Sequence, residues 1–438
     1  TLRARLASPA YVGVNLLEPP LLAGLTVWLC RGAAGATYAL GGNPYLAVYF
    51  FMAVIVAIFL GLSVSAEEIV RDRRVLRREQ FLHLSWSAYS GAKILHVAGL
   101  ALLQTAICAA IGVVGLRVPD FFGKLWLALF SAAVFGGILG LNVSARFKSA
   151  VTVYVLLPLL LLPQMLLGGL IVDFDDLRSR AAPHACPPWF GELTASRWAF
   201  EALAVEQFQA NAYQRHFEAV DRELSGLDYR ANDHVPALLG RLDALLLAAP
   251  ERREEIRALL IREFRALEAE APRLAGAAAA IAAWSPPDRA ALESLKTALR
   301  EESRELQTAR QAAQDRRNAI QEALLAAQGE EGLAALVKAN ANRKLVELVR
   351  RKGVLDPIRE QGGRFVRLAD PVYQPAEAPW GRASFMAGEK RLGSWTFHLV
   401  GSQQLRSHGF GSTGRVGVIH GGMQPPGMID VTRAVAVA

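Results

Sequence analysis

Long apolar runs separated by short polar links occupy the first 172 positions of the chain. The runs cover approximately residues 11–30, 45–65, 94–116, 121–144 and 150–172. Each run is close to the roughly 20 residues that an α-helix needs to cross about 30 Å of hydrocarbon. The pattern therefore predicts an all-α membrane protein in which residues 1–173 form five transmembrane helices.

The link of residues 66–93 is the most basic short segment beside any of these runs. Its positive side chains are Arg71, Arg73, Arg74, Arg77, Arg78 and Lys93. Because positively charged short loops stay on the cytoplasmic side, we expect this loop and the N-terminus in the cytoplasm, in a multi-pass protein of the inner (plasma) membrane. Five crossings then place residues 174–395 outside, and long translocated domains are exempt from the charge rule.

Residues 174–395 are predicted to form a helical extracytoplasmic domain. Apolar residues recur there every seven positions, at Leu292, Leu299, Leu306, Ala313, Ile320 and Ala327. This repeat is typical of a coiled coil, here over residues 287–328. Earlier in the domain, ASRWAFEALAVEQF is predicted to be an amphipathic helix with Trp198 at the lipid headgroups. Residues 396–438 are Gly-rich and lack a long apolar run, so we predict an irregular tail.

Composition agrees with a membrane part joined to a water-soluble part, because 52% of residues are apolar and 20% are charged. The net charge of +8 is divided between the basic loop and helices of mixed charge, so we expect no nucleic-acid partner. The three cysteines are far apart, and no metal-ligand spacing or catalytic grouping occurs. The chain begins at Thr1 without Met, which suggests a piece of a longer polypeptide.

The string EEIVRDRRVLRREQFLHLSWSAYSGAKIL resembles the first cytoplasmic loop of type-2 ABC exporter permeases, close to the G (White-like) subfamily. The matching elements are an acidic start, a basic stretch that ends in Arg-Glu, and a Tyr-x-x-x-Lys that enters the third span. In this chain they are Glu67, Glu68, Arg77, Arg78, Glu79, Tyr89 and Lys93. The later string RFVRLADPVYQPAEAPWGRASFMAGEKRLGSWTF resembles the return from an external domain in a bacterial branch in which ATPase and permease are fused.

The resemblance implies a half-transporter with six spans that works as a homodimer with a nucleotide-binding domain and contacts membrane lipid. Loop 66–93 would then transmit the closure of the nucleotide-binding domains to the spans. No GxxxxGK[ST] pattern occurs, so we expect no cofactor in this chain, with ATP and Mg²⁺ on a nucleotide-binding domain outside it. The tail stands where the family has a sixth span, and a frameshift would account for this departure.

In the family, the second and fifth spans face the central cavity. This implies four candidates for the substrate path, Phe51, Phe59, Gln164 and Met165. Core packing is the alternative for each, and it is also the favoured role of the small residues Ser131, Gly136, Gly140 and Ser144 in the fourth span. In the first span, Glu18 either joins a polar path or lies at the inner interface, with the helix beginning at Pro19.

Two functions remain open. The first is the membrane half of an ATP-driven exporter that moves an unidentified substrate, with an amphipathic compound as the first candidate. The second is a membrane-anchored scaffold or sensor whose external helices bind a partner. A nucleotide-binding domain encoded upstream would favour the exporter.

Overall fold

Five apolar helices follow one another in the described part of residues 1–171 of the computed structural model. They are α1 Pro9–Cys30, α2 Leu46–Ser65, α3 Trp86–Leu116, α4 Phe122–Arg146 and α5 Ala150–Leu166. The structure describes residues 9–31, 38–72, 86–147, 149–171, 194–268, 270–284, 289–350, 357–361, 363–367 and 369–373. Within these residues, four segments are long and apolar enough to cross a membrane: Tyr11–Cys30, Leu46–Asp72, Ala88–Leu116 and Pro119–Arg146. The fold is that of an all-α membrane protein.

Helix α5 covers only part of the predicted fifth span over residues 150–172, which itself stays a prediction. Helix α5 ends at Leu166 and has 17 residues, which at about 1.5 Å per residue is shorter than the hydrocarbon layer. Pro158 and Pro163 lie inside it and each removes a backbone donor. The chain then turns at Gly169, whose φ of 80° suits glycine. An apolar run alone did not reveal this early end.

Helix α1 runs without interruption through Pro19 and Pro20, so the prediction that the helix begins at Pro19 is wrong. Pro19 has no N–H for the carbonyl of Asn15, which lies one turn earlier. The side chain of Gln104 on α3 supplies a donor instead, with its Nε2 3.1 Å from that oxygen. A neighbouring helix therefore satisfies the group that proline leaves open, as membrane helices require.

Helices α2 and α4 pack with their backbones in close contact. A Cβ added at Gly136 would overlap the carbonyl of Ile58, and one added at Gly61 would overlap the carbonyl of Ala133. Small residues permit this approach, which replaces the hydrophobic driving force that helices lack in lipid. The structure confirms the packing role for Gly136 and Gly140 of the fourth span.

Helix α6, Ala195–Gln209, is buried on every side and packs against α2, α4 and α5. Trp198 is 4% exposed, so the prediction of an amphipathic helix with Trp198 at the headgroups is wrong. The charged side chains of α6 form ion pairs. Arg197 lies 3.5 Å from Glu201 within the helix, and Glu206 lies 2.7 Å from Lys124 at the start of α4.

The described residues divide into two compact units. The membrane unit contains residues 9–211 together with Lys338–Val346, and the helical unit contains residues 212–337 and 347–373. This division concerns compactness, so the predicted topological boundary at residue 173 stays a prediction. The tail of residues 396–438 lies outside the described residues.

The helical unit is built from short helices, one long helix and a hairpin. Its helices are α7 Glu218–Asp228, a π-helical turn Tyr229–His234, α8 Val235–Leu247, α9 Pro250–Leu267, α10 Ala277–Ala283, α11 Arg289–Asn340 and α12 Arg343–Arg350. Strands β1 Ile358–Gln361 and β2 Arg364–Arg367 pair antiparallel, with Ile358 opposite Arg367. This hairpin was not predicted from the sequence. The last residues of α11 and the first half of α12 belong to the membrane unit.

Helix α11 buries the first four of the six positions of the seven-residue repeat. Leu292, Leu299, Leu306 and Ala313 are buried, whereas Ala327 is exposed. Leu299 and Leu306 pack into the core formed by the shorter helices. The helix is broken at Gly329, where φ is 71° and ψ is 172°. Coiled-coil pairing over residues 287–328 stays a prediction.

Candidate functional site

The two ends of loop 66–93 lie against each other at one end of the membrane unit. After Ser65 the chain makes a turn and continues helically to Asp72, and α3 begins at Trp86. Residues 73–85 lie outside the described residues, so the structure does not place Arg77, Arg78 and Glu79. Of the predicted coupling residues, Glu67, Glu68, Tyr89 and Lys93 are described.

A buried ion-pair cluster joins these two ends. The Lys93 ammonium lies 2.9 Å from Glu68 Oε2 and 2.5 Å from Asp72 Oδ2. The Glu68 side chain is fully buried, and 7% of the Lys93 side chain is exposed. Glu68 and Asp72 are four residues apart on one helix, so both carboxylates face the same lysine. Because water is excluded, each charge depends strongly on its partners.

Aromatic and imidazole groups extend the cluster toward α1. The Tyr89 hydroxyl donates to Asp72 Oδ2 at 3.3 Å, and its ring lies 5.7 Å from the Lys93 ammonium. His96, one turn after Lys93, has its Nε2 3.7 Å from Glu68 Oε1. The same nitrogen lies 3.3 Å from the Tyr11 hydroxyl of α1. The first three helices therefore meet in one polar cluster.

Helix α4 is tied to the same place by a hydroxyl group. Ser144 Oγ accepts hydrogen bonds from the backbone N–H groups of Ile69 and Val70, both at 3.1 Å. These N–H groups begin the helical turn that carries Glu68 and Asp72, where intrahelical acceptors are missing. Around them, Val64, Ile69, Val97 and Leu141 form a small apolar core.

The structure brings together three of the four described coupling residues and separates the other. Glu68, Tyr89 and Lys93 share the cluster, whereas Glu67 points toward Arg71, 4.0 Å away at the surface. Sequence reasoning missed Asp72 and His96. Helical spacing places Asp72 one turn after Glu68 and His96 one turn after Lys93, but it does not show that these two helix faces meet.

Two of the four substrate-path candidates, Phe51 and Gln164, contact α6. Phe51 is 1% exposed, and its ring contacts Phe200 edge-on with centroids 5.7 Å apart. Gln164 is buried, and its Oε1 accepts the backbone N–H of Ser196 at 3.2 Å. Phe59 and Met165 are half-buried. Packing accounts for the surroundings of Phe51 and Gln164, and a substrate role for any of the four stays a prediction.

The described residues contain no group of three or more His, Cys, Asp or Glu that could hold a metal ion. The cluster instead joins the helices on both sides of loop 66–93 mechanically. A displacement of either loop end would act on α2, α3 and α4 together, since breaking the buried ion pair is costly.

Comparison with known proteins points to one family. Residues 1–208 match the family profile of the ABC-2 type transporter, which forms the membrane component of ABC transporters. Over 158 residues, the chain is 29% identical to the ABC transporter ATP-binding/permease protein Rv1747 of Mycobacterium tuberculosis. That match covers 34% of this chain and 17% of that protein, so the chain spans only a small part of this relative. No solved structure matches the chain.

Proposed function

We propose that this chain is the transmembrane half of an ATP-binding cassette exporter of the fused bacterial branch near the G subfamily. It moves an unidentified substrate, with an amphipathic compound as the first candidate, across the inner membrane. ATP and Mg²⁺ bind to a nucleotide-binding domain outside this chain, and two copies form the working transporter. The match of residues 1–208 to the ABC-2 type transporter supports the assignment. The relative's name, which joins an ATP-binding part with a permease, supports the partner domain.

The buried contact of Lys93 with Glu68 and Asp72 is the observation that supports a role of loop 66–93 in coupling the nucleotide-binding domain to the spans. Loop 66–93 begins and ends at this contact, so a push on the loop cannot move one flanking helix without the other. Ser144 extends the connection to α4. A rigid connection of this kind suits the transmission of rigid-body motion from a nucleotide-binding domain.

The orientation follows from the same assignment. The loop-66–93 end faces the cytoplasm, where the nucleotide-binding domain binds. Asn342 hydrogen-bonds the carbonyl of Leu40, so Lys338–Val346 and the link between the first two spans share one face of the membrane. We assign that face to the extracytoplasmic side, together with the helical domain.

The test uses the chain reconstituted in liposomes with its nucleotide-binding domain, identified from the coding sequence upstream of Thr1 or next to this gene. ATP hydrolysis and transport are measured against a panel of lipids and amphipathic drugs. We expect Glu67→Gln, Arg78→Ala and Glu79→Gln to retain hydrolysis and lose most transport. Arg300→Ala, at an exposed position of α11, is the control and should change neither. Unchanged coupling in all three loop variants would exclude the coupling role.

The alternative scaffold or sensor is distinguished by the same preparation. If no nucleotide-binding domain is encoded upstream or nearby, and none stimulates transport in liposomes, the exporter assignment fails. Protease access then gives a separate answer on topology. Cleavage within residues 73–85 from the outside of intact cells would contradict the orientation even if the family assignment stood.

A further inference from the structure

The chain leaves the helical unit for one short excursion into the membrane unit and then returns. This excursion is Lys338–Val346, which has residues of the helical unit before and after it. It contains the end of α11 and the first half of α12. A long insertion does not need such an excursion for its own core, and the contacts of this segment indicate another role.

Asn342 attaches the segment Lys338–Val346 to residues 40–43, in the link between the first two spans. The side chain is 3% exposed, and its Nδ2 donates to the carbonyls of Leu40 and Asn43, both at 2.7 Å. Its Oδ1 accepts the N–H of Leu345 at 2.9 Å and so caps α12. One side chain thus fixes its own helix and two backbone groups of the link.

Glycine at position 41 allows this close approach. A Cβ added there would lie 2.7 Å from the carbonyl oxygen of Ala341 and 2.9 Å from that of Lys338. Both neighbours are backbone atoms that cannot move aside as a flexible side chain can. The segment Lys338–Val346 and the link are therefore in close backbone contact, and the Asn342 amide holds them together by hydrogen bonds.

Asn43 connects the contact at Asn342 with residues next to both spans. Asn43 Nδ2 donates to the Tyr38 hydroxyl at 3.0 Å, and the Arg31 guanidinium at the end of α1 lies 5.2 Å from the Tyr38 ring. On the other side, Asn43 Oδ1 accepts the N–H of Tyr45, immediately before α2. Through Asn43, the contact made by Asn342 is connected to the end of the first span and the start of the second.

The helix that leads into the segment Lys338–Val346 contains a break. At Gly329, φ is 71° and ψ is 172°, a backbone region that essentially only glycine occupies. The break lies in the helical unit, before the excursion begins. A change of angle at Gly329 would therefore displace the docked segment relative to the rest of α11.

We propose that Lys338–Val346 is a docking segment through which the helical unit sets the arrangement of the link between the first two spans and of the adjoining span ends, with Asn342 as its positioning residue and Gly329 as its hinge. The proposal concerns communication within this chain and does not depend on the exporter assignment. It predicts that changes confined to the helical unit alter the membrane unit at the end of α1.

Native thiols report on this communication in the full chain. Cys30, at the end of α1, and Cys108, in the middle of α3, are both buried. In a Cys186→Ser background, in lipid nanodiscs, the rate of modification by N-ethylmaleimide is measured for each thiol by mass spectrometry. Cys30 reports on the docked end, and Cys108 reports on general loosening of the bundle.

Asn342→Asp separates docking from capping, because a carboxylate still caps Leu345 but cannot donate to Leu40 and Asn43. We expect this variant to modify Cys30 at least about fivefold faster than wild type, because one lost hydrogen bond typically carries about that factor and the variant loses two, with Cys108 unchanged. Gln321→Ala, at an exposed position of α11, should leave both rates unchanged. A wild-type rate for Asn342→Asp, or an equal rise at both thiols, would overturn the role of Asn342.

Gly329→Ala tests transmission from the helical unit, because alanine disfavours the broken backbone and favours a continuous helix. It should raise the Cys30 rate several-fold with Cys108 unchanged. Gly332→Ala is the matched control, since its Cβ would meet only the Gln328 side chain, at 3.2 Å. If Gly329→Ala modifies Cys30 at the wild-type rate, the segment is a static attachment and the proposal fails.

Discussion

Lys93 of the third span and Glu68 of the second form a buried ion pair, with the ammonium 2.9 Å from the carboxylate. The lysine has a second acidic neighbour, because Asp72 Oδ2 lies 2.5 Å away. Loss of the lysine therefore leaves two carboxylates without this cation, whereas loss of Glu68 leaves the lysine beside Asp72. This asymmetry distinguishes the effects of the two single substitutions.

Lys93→Met should lower the free energy of unfolding by about 3–5 kcal/mol, the usual cost of removing one partner of a buried pair. Glu68→Gln should cost less, about 1–2 kcal/mol, because Asp72 remains to balance Lys93 and the amide can still accept a hydrogen bond. Thermal or denaturant unfolding in a mild detergent, followed by circular dichroism, measures both. Equal losses in the two variants would contradict the shared role of Lys93.

Ser144→Ala should lower the free energy of unfolding by about 1–3 kcal/mol. The variant leaves the N–H groups of Ile69 and Val70 without the hydroxyl that accepts them, and an unsatisfied buried donor costs about this much. Ser131→Ala is the control, because Ser131 is equally buried on α4 but bonds only a carbonyl of its own helix. The same unfolding measurement should show a clearly smaller change for Ser131→Ala.

The resemblance of the loop sequence selected Glu68, Tyr89 and Lys93, which the structure places in one cluster. It did not select Asp72 or His96, because their importance depends on which faces of two helices meet. Sequence periodicity gives the faces of each helix but not the angle at which two helices pack. The contact between Asp72 and Lys93 is therefore visible only in three dimensions.

Apolar runs predicted four helices that are long and apolar enough to cross a bilayer, because length and composition can be read from the sequence. The same reasoning failed for α6, whose charged positions suggested a water-exposed face. Those positions are buried because Arg197 pairs with Glu201, and Glu206 pairs with Lys124 on another helix. The spacing of Arg197 and Glu201 is helical but does not show that their helix is buried, and the pairing of Glu206 with the distant Lys124 leaves no periodic signal in the sequence.

Gly136→Ala should destabilise the membrane unit by about 2 kcal/mol or more, because the added methyl group would overlap the carbonyl of Ile58 on α2. Gly123→Ala on the same helix is the matched control. Nothing lies within 4 Å of a Cβ at Gly123, so alanine there should be neutral or stabilise the helix by up to about 1 kcal/mol. Detergent unfolding should separate the two variants, and equal stability would show that α2 and α4 are not in close contact.

In the helical unit, Asp370 makes stability depend on pH at the acidic end. Burial alone would raise its pKa, but hydrogen bonds from Arg350, at 2.6 and 2.7 Å, and from Ser225, at 2.8 Å, outweigh burial and hold the pKa below its usual value. A folded pKa below the unfolded one gives stability that is fully present above the unfolded pKa, 3.8, and is lost as pH falls through the folded pKa. We therefore expect no contribution to pH dependence from Asp370 above about pH 5 and a progressive loss below about pH 4.

Asp370→Asn tests this linkage without backbone strain, because asparagine tolerates the φ of 48° found at this position. The variant should be less stable than wild type by about 2 kcal/mol at pH 7, and the difference should shrink as the pH falls toward 2. Asp228→Asn, at a half-exposed ion pair with Arg310, is the control and should cost less than about 1 kcal/mol at pH 7. Unfolding followed by circular dichroism between pH 2 and pH 7 measures all three proteins. A constant difference between Asp370→Asn and wild type across this range would mean that Asp370 stabilises the fold without its charge.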